Sequence, residues 1–429
     1  MQNNFLISGG HVICPAQGID GDFDVLVENG QIAKIGKSLP LPENFQQFPA
    51  NGKLVCPGLF DMHVHLREPG REDKETIESG MRSALAGGVT SLLAMPNTNP
   101  EICNQAVVEF CLRRAEKLQL ARLFVAGKIT ENGGLTQMKE MKNSGAVAFT
   151  NDGSDVESPD LLAKALEWAK TFRVPILTHA EIADLSQDGQ VNEGEVSLQL
   201  GLAPISASAE ILAVEKSLTL AAEHNAQIHI THVSTAGAVE RIRTGKKGFS
   251  KISCEATPHH FALNENECLG FNTNAKMFPP LRSESDRLAI LQGLQDGTID
   301  AIASDHAPHL PSEKMLPFAH APRGTVGLET TFAAANTFLV REKVLTLAQA
   351  VEKMTLAPAR LLGLESAIGS LKIGQPADIA IFNLEREWQV NPEQFASKGR
   401  NCAFAGKKLH GKCEATFVDG ILKFTLAKK

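Results

Sequence analysis

The chain has 429 residues, 43% of them hydrophobic, and a net charge of -7 at neutral pH. That length can bury a large core and exceeds most single compact domains, an α/β barrel being the standing exception, so one barrel plus a small second domain fits. The acidic balance excludes a general basic surface for nucleic acid, and no apolar run approaches the ~18 residues of a membrane helix.

Residues 5 to 56 open with β-rich segments: Leu6 through Val12, Asp24 through Ile32 with Asn29-Gly30 as a hairpin turn, and Lys53 through Cys56. From residue 59 to residue 308 a pattern repeats, in which a short apolar β-rich run meets a polar junction with His, Asp or Asn and then a helix-like stretch. The runs fall at 59–66, 90–97, 121–127, 146–152, 174–181, 227–234, 252–258 and 301–308. Helical signals between them are Ser79-Gly80 leading into Met81 to Ala86, the amphipathic stretch 105–118, Ser158-Pro159-Asp160 before Leu161 to Thr171, and Ser206 to Glu223. Eight strands alternating with helices predict an α/β fold, a (β/α)8 TIM-like barrel over residues 58–365, with the apolar stretches 331–340 and Leu345 to Leu362 closing the ring. Residues 369 to 429 return to β patterning in Ala377 through Phe382 and Ala415 through Leu422. Neither terminal piece can hide both faces alone, so 1–57 and 366–429 are expected to pair as one small β-sandwich. The eight cysteines form no CxxC pair, and the opening Met1-Gln2-Asn3-Asn4 lacks the basic and apolar regions of a signal peptide. Reduced thiols in a cytoplasm are therefore expected.

The polar junctions fall at strand C-terminal ends, where barrel enzymes carry their chemistry. In Asp61-Met62-His63-Val64-His65-Leu66-Arg67 the alternation of a strand points His63 and His65 the same way, so both imidazoles can reach one metal. A lone His-x-His is a weak signal, but Asp152, His179, His232 and Asp305 stand singly at the ends of further apolar runs. Four imidazoles and two carboxylates suit a borderline cation such as Zn2+, one or two ions per subunit. Two ions about 3.5 to 4 Å apart would hold a hydroxide between them, with Asp152 as the bridge. Alone, Asp152 before Gly153 reads better as a turn residue, and a neutral Asn151 would bridge poorly. Asp305 is the expected general acid/base, taking the hydroxide's proton and passing it to a leaving nitrogen. His229, three residues before His232, is expected to pack between strand and helix, and His306 to sit behind the site. The segment 310–326, rich in Pro and Gly beyond the last strand, is expected to fold over bound substrate as a lid, with Lys314 or Arg323 adding charge.

With these residues assembled, the chain resembles the amidohydrolase superfamily and, within it, the dihydroorotase family. Asp61 to Arg67 followed by Glu68-Pro69-Gly70 resembles the first family signature, and Ala303-Ser304-Asp305 through Ala307-Pro308-His309 with Lys314 the second. Met95-Pro96-Asn97-Thr98, Gly327-Leu328-Glu329-Thr330 and Gly374 through Asp378 fit as well. The resemblance implies reversible hydrolysis of L-dihydroorotate to N-carbamoyl-L-aspartate in pyrimidine synthesis. It implies His63, His65, Asp152, His179, His232 and Asp305 as metal ligands, and Arg67, Asn97, His309, Pro322 and Gly324 against the substrate. An anionic substrate entering an acidic protein needs local attraction, which Arg67 beside a cationic centre supplies.

Three departures from the family stand out. Phe278 replaces a common Asn, which removes a polar contact; Ala180 follows His179 where many relatives carry Cys; and Asp152 stands where many superfamily members bridge with a carbamylated Lys, leaving Lys128 as the remaining alternative. Competing readings are an allantoinase or hydantoinase, and a non-catalytic scaffold for aspartate transcarbamoylase. His309 and Arg67 favour an anionic substrate, and all six ligands favour an enzyme. Homodimer formation and association of an active chain with the transcarbamoylase are left open.

Overall fold

A computed structural model describes residues 4–427. Eight parallel strands follow one another in chain order around a barrel: β1 (Leu59–Val64), β2 (Val89–Ala94), β3 (Arg122–Lys128), β4 (Ala146–Thr150), β5 (Ile176–Thr178), β6 (Ile228–Ile230), β7 (Ile252–Ala256) and β8 (Ala301–Ile302). All eight fall on the expected runs. Beyond β8 the ring closes where Val64 bridges His306 in parallel, with the His65 amide donating to the His306 carbonyl at 2.8 Å.

The expected helices are present, and their starts follow from capping. Ser158 caps Pro159–Phe172, and Ser206 caps Ala207–His224. The first helix spans Ile77–Ala86, beginning two residues before Ser79, because Thr76 accepts from the Ser79 amide and the Ser79 hydroxyl returns to the Thr76 amide. Such reciprocal capping satisfies donors that a helix start otherwise leaves open. Thr331–Ala335 runs on into a wider π-helical turn, Asn336–Val340, and the Asn336 amide donates to the Leu384 and His410 carbonyls of the terminal sheet.

The strands expected near the two ends form one mostly antiparallel sheet, in the order Ile421–Thr425, Lys408–Val418, Ile379–Gln389, Leu54–Pro57, Phe5–Cys14, Ile19–Glu28, Gln31–Gly36, with Gln46–Pro49 beside Phe5–Cys14. The termini meet where Phe382 pairs with Leu54 and Ile381 with Val55. Two strands separate Phe5–Cys14 from Lys408–Val418, which on a flat sheet is about 14 Å. The Phe5 and Phe417 rings nevertheless stack at 4.6 Å, so the sheet curls over itself as the sandwich expectation required. Alternation sorts its side chains: Val55, Ile379 and Ile381 join the sheet's own core, whereas Leu54, Cys56, Ala380 and Phe382 face the barrel core. Phe382 stacks on Phe332 at 3.7 Å, and Gly88 leaves room for its ring, since a Cβ there would stand 2.3 Å from the Phe382 ring. All eight cysteines are buried and free, and among the described residues no helix is long and apolar enough to cross a membrane.

Candidate active site

Each expected ligand lies at or just past a strand end, and at His232 and Asp305 the strand stops short of the residue for a backbone reason. His232 and Asp305 take positive φ angles of 34° and 48°, and Arg67 takes 61°, which no β-ladder continues. The turns throw the side chains over the barrel mouth. His63 Nε2 lies 3.1 Å from Asp152 Oδ1 and 3.7 Å from Asp305 Oδ1. His65 Nε2 lies 3.0 Å from Asp305 Oδ1 and 3.4 Å from Asp152 Oδ2. His232 Nε2 stands 3.6 Å from Asp152 Oδ1 and 3.0 Å from His179 Nδ1.

Two overlapping donor sets result, His63–Asp152–His232 and His63–His65–Asp305. His179 joins neither but touches His232. The buried atoms His63 Nε2, Asp152 Oδ1, His179 Nε2 and His232 Nδ1 have no hydrogen-bond partner. Buried polar atoms without partners are rare because each costs about 1 to 3 kcal/mol, and two of these, His63 Nε2 and Asp152 Oδ1, face each other at 3.1 Å, as lone pairs placed for a shared cation would. Burial works against ionisation of Asp152, yet His63, His232 and His65 hold its carboxyl well below the usual range. Asp305 is held low against burial in the same way by His65 and His63. Burial, reinforced by His232, pushes His179 down to about 3, so it stays neutral with a lone pair to give.

Behind the ligands lies a layer that sequence reasoning missed. His63 Nδ1 donates to Glu255 Oε1 at 2.8 Å; His229 Nε2 meets Glu255 Oε2 at 3.3 Å and its Nδ1 meets Ser253 Oγ at 2.9 Å. Against burial, the hydrogen bonds from His229 and His63 hold Glu255 at about 2. His229 is therefore packed inside the barrel against Ser253 and Glu255, not between strand and helix as expected. Asp61 accepts from the Ser304 and His63 amides, tying β1 to the segment that bears Asp305. Burial pushes Asp61 up to about 6. Asn151 accepts from the Ile129 and Thr130 amides, which leaves Asp152 to face the site. Lys128 pairs with Glu101 away from the site, so nothing there supports it as a bridge. His306 also stands behind the site, beside Glu75.

A small open cavity of about 180 Å3 lies over the cluster, lined among others by Arg67, Asn97, His309 and Gly324. Asn97 spends its Oδ1 on His65 Nδ1, 2.7 Å away, and so orients that expected ligand while its amide remains for the cavity. Arg67 Nε donates to the Pro308 carbonyl, and burial lowers its guanidinium to about 10, opposed by Asp305 and Asp152. Burial, then Arg67, Lys74 and Lys314, push His309 down to about 2; the neutral ring donates from Nε2 to the Arg323 carbonyl. Pro322 is not among the lining residues: its carbonyl accepts from Lys314 Nζ at 2.8 Å, and the same ammonium reaches the Gly324 carbonyl at 3.1 Å. Lys314 is thus a post inside its own loop and does not face the cavity. The Lys276 ammonium donates to the Phe318 and Ala321 carbonyls of the same segment. The expected lid is in this structure a tied wall.

The sequence profile of the amidohydrolase family matches residues 54–422, and the chain belongs to that family. Within it the chain belongs with the dihydroorotases. It is 45% identical to the dihydroorotase of Trichlorobacter lovleyi over 98% of this chain and 99% of that one. To the dihydroorotase of Citrifermentans bemidjiense it is 44% identical over 97% and 98%. Among solved structures it is similar in fold to the L-hydantoinase of Arthrobacter aurescens, with a TM-score of 0.90 at 24% identity over 100% of this chain and 98% of that one. The dihydropyrimidinase of Brevibacillus agri NCHU1002 follows at 0.85 and 21% over 99% and 96%.

Proposed function

We propose that the chain catalyses reversible hydrolysis of L-dihydroorotate to N-carbamoyl-L-aspartate, with His63, His65, Asp152, His179, His232 and Asp305 holding one or two zinc ions. The observation that carries this reading is the pair of overlapping buried donor sets, His63–Asp152–His232 and His63–His65–Asp305, beneath a cavity lined by Arg67 and His309. When bound, zinc would polarise the ring carbonyl and acidify the attacking water. The residues do the rest. Arg67 and the Asn97 amide hold the carboxylate-bearing ring, with His309 and Gly324 shaping the wall beside it. Asp305, ionised and next to His65, takes the proton of the attacking water and delivers it to the ring nitrogen as the amide bond breaks. That nitrogen becomes the terminal amide of the carbamoyl group, and the carbonyl carbon becomes the new carboxylate. Cyclisation runs the same transfers backwards.

The domains fit this reading as residues 58–365 for the catalytic barrel and 1–57 with 366–429 for the sheet that supports it. A cytoplasmic setting suits eight free buried thiols. Self-association, or association with aspartate transcarbamoylase, is compatible with a site built wholly from one chain. The test is metal analysis of a His63→Ala, His65→Ala double variant beside the wild type. Loss of zinc together with dihydroorotate turnover is expected, and full zinc occupancy in the variant would refute the ligand assignment.

A further inference from the structure

Phe278 and Arg323 form a unit on the wall of the cavity. The Arg323 guanidinium carbon lies 4.1 Å over the centre of the Phe278 ring, which also lies against the His179 ring at 4.7 Å between centroids. Both residues line the cavity and both are half-buried. A guanidinium lies flat on an aromatic face because the ring's negative quadrupole attracts it, and its edge N–H groups stay free to reach outward. One of them is used: Nη2 donates to the Gly189 carbonyl at 2.6 Å. Among the described residues no carboxylate lies within ion-pair distance of Arg323.

The backbone that carries it is fixed at three successive carbonyls. Pro322 O accepts from Lys314, Arg323 O from His309, and Gly324 O from Lys314 and Asn401. The Gly324 amide in turn donates to the Lys276 carbonyl at 2.8 Å. Gly324 sits at a φ of +121°, where a Cβ would stand 2.7 Å from that of Ala307, so the turn admits no other shape cheaply. A cation with no ion-pair partner among the described residues, mounted on a rigid turn and stacked at a cavity wall, is organised in advance for an anion.

We infer that Arg323 is a specificity-determining residue that binds the negatively charged end of the substrate, selecting carboxylate-bearing cyclic amides over neutral ones, and that Phe278 is the positioning residue that holds it. The inference rests on the proposed function for the substrate's identity. It gives Phe278 a role in the place of the polar contact it displaces: the ring gives up a hydrogen bond and sets a charge at the same wall.

The test is steady-state kinetics on the zinc-loaded full chain with L-dihydroorotate, and with orotate as a competitive inhibitor. Arg323→Met should raise KM about tenfold and weaken orotate inhibition in parallel, with kcat within about threefold of wild type, the signature of lost binding without lost chemistry. Arg323→Lys should fall between, because an ammonium neither stacks nor donates in a fork. Phe278→Leu should raise KM about threefold, and combining it with Arg323→Met should do no more than Arg323→Met alone, since the ring acts through the guanidinium. Wild-type turnover of dihydroorotate with an unchanged KM in Arg323→Met and Arg323→Lys overturns this inference and leaves the proposed function standing. Strictly additive effects in the double variant overturn the role of Phe278. A wild type that does not act on dihydroorotate overturns both.

Discussion

Asp305, the proposed general acid/base, stands on a backbone that its own side chain does not favour. A φ of +48° costs an L-residue about 1 to 2 kcal/mol, and glycine is free of that cost. Asp305→Gly should therefore be as stable as the wild type or more stable by about 1 kcal/mol when both are compared without metal, while turnover falls by at least about 100-fold. Denaturant titration beside a rate assay checks both halves; a clear loss of stability would show that the carboxylate, and not the backbone, dominates the position. The proposed ligands were legible because His63 and His65 share one face of a strand and Asp152, His179, His232 and Asp305 stand at the ends of further apolar runs. Glu255 was not. It lies inside the β-rich run Ser253-Cys254-Glu255-Ala256 and gains meaning only from His63, whose ring it meets across a sequence separation of 192. Arg323 was legible only as a charge in a loop, since no spacing rule connects it with a ring at position 278.

At the scale of elements, β7 supports what β1 presents. Glu255 fixes the His63 ring by accepting from Nδ1, which leaves Nε2 to serve as the ligating atom in the proposed metal site. Glu255→Gln should weaken zinc retention about 10- to 100-fold in a competition with a chelator, and added zinc should restore most of kcat. If retention is unchanged, Glu255 serves packing alone. The strands themselves were readable from their apolar runs, but their ends were not. The runs carry on through the ligands, whereas the ladder stops at Ile230 and Ile302 because the residues beyond must turn, and periodicity says nothing about φ. The segment 310–326 likewise lacks periodicity, yet Lys314 and Lys276 anchor it from inside. Lys314→Met should release the Pro322 and Gly324 carbonyls and speed hydrogen exchange over residues 320–326; unchanged exchange there would mean that other contacts hold the wall.

At the scale of the molecule, the terminal sheet and the barrel share a core, and one half-buried carboxyl near that junction makes stability depend on pH. Glu329 accepts from Ser83 Oγ and from the Ala396 and Ser397 amides, and burial pushes its carboxyl up to about 7 against those hydrogen bonds. Because the folded value lies above the unfolded one near 4.5, its contribution is fully present below about pH 4.5 and is lost as pH rises to about 7. Glu329→Gln keeps the accepting oxygen without the charge, so its unfolding free energy should vary less between pH 5 and pH 8 than that of the wild type. Parallel profiles would contradict the assignment. That both ends of the chain meet was legible because neither could cover two faces alone. The curl that brings Phe5 onto Phe417 was not, since twist accumulates over the sheet and no single strand encodes it.

The central claim is that this barrel mouth hydrolyses an anionic cyclic amide with the aid of metal. The most direct measurement is the rate of L-dihydroorotate hydrolysis by the purified zinc-loaded chain, taken beside the neutral ring hydantoin. Turnover of dihydroorotate that a chelator abolishes, with hydantoin turned over far more slowly, is the predicted result. Equal or faster hydrolysis of hydantoin, or no dihydroorotate turnover by a chain shown to hold its zinc, would contradict it.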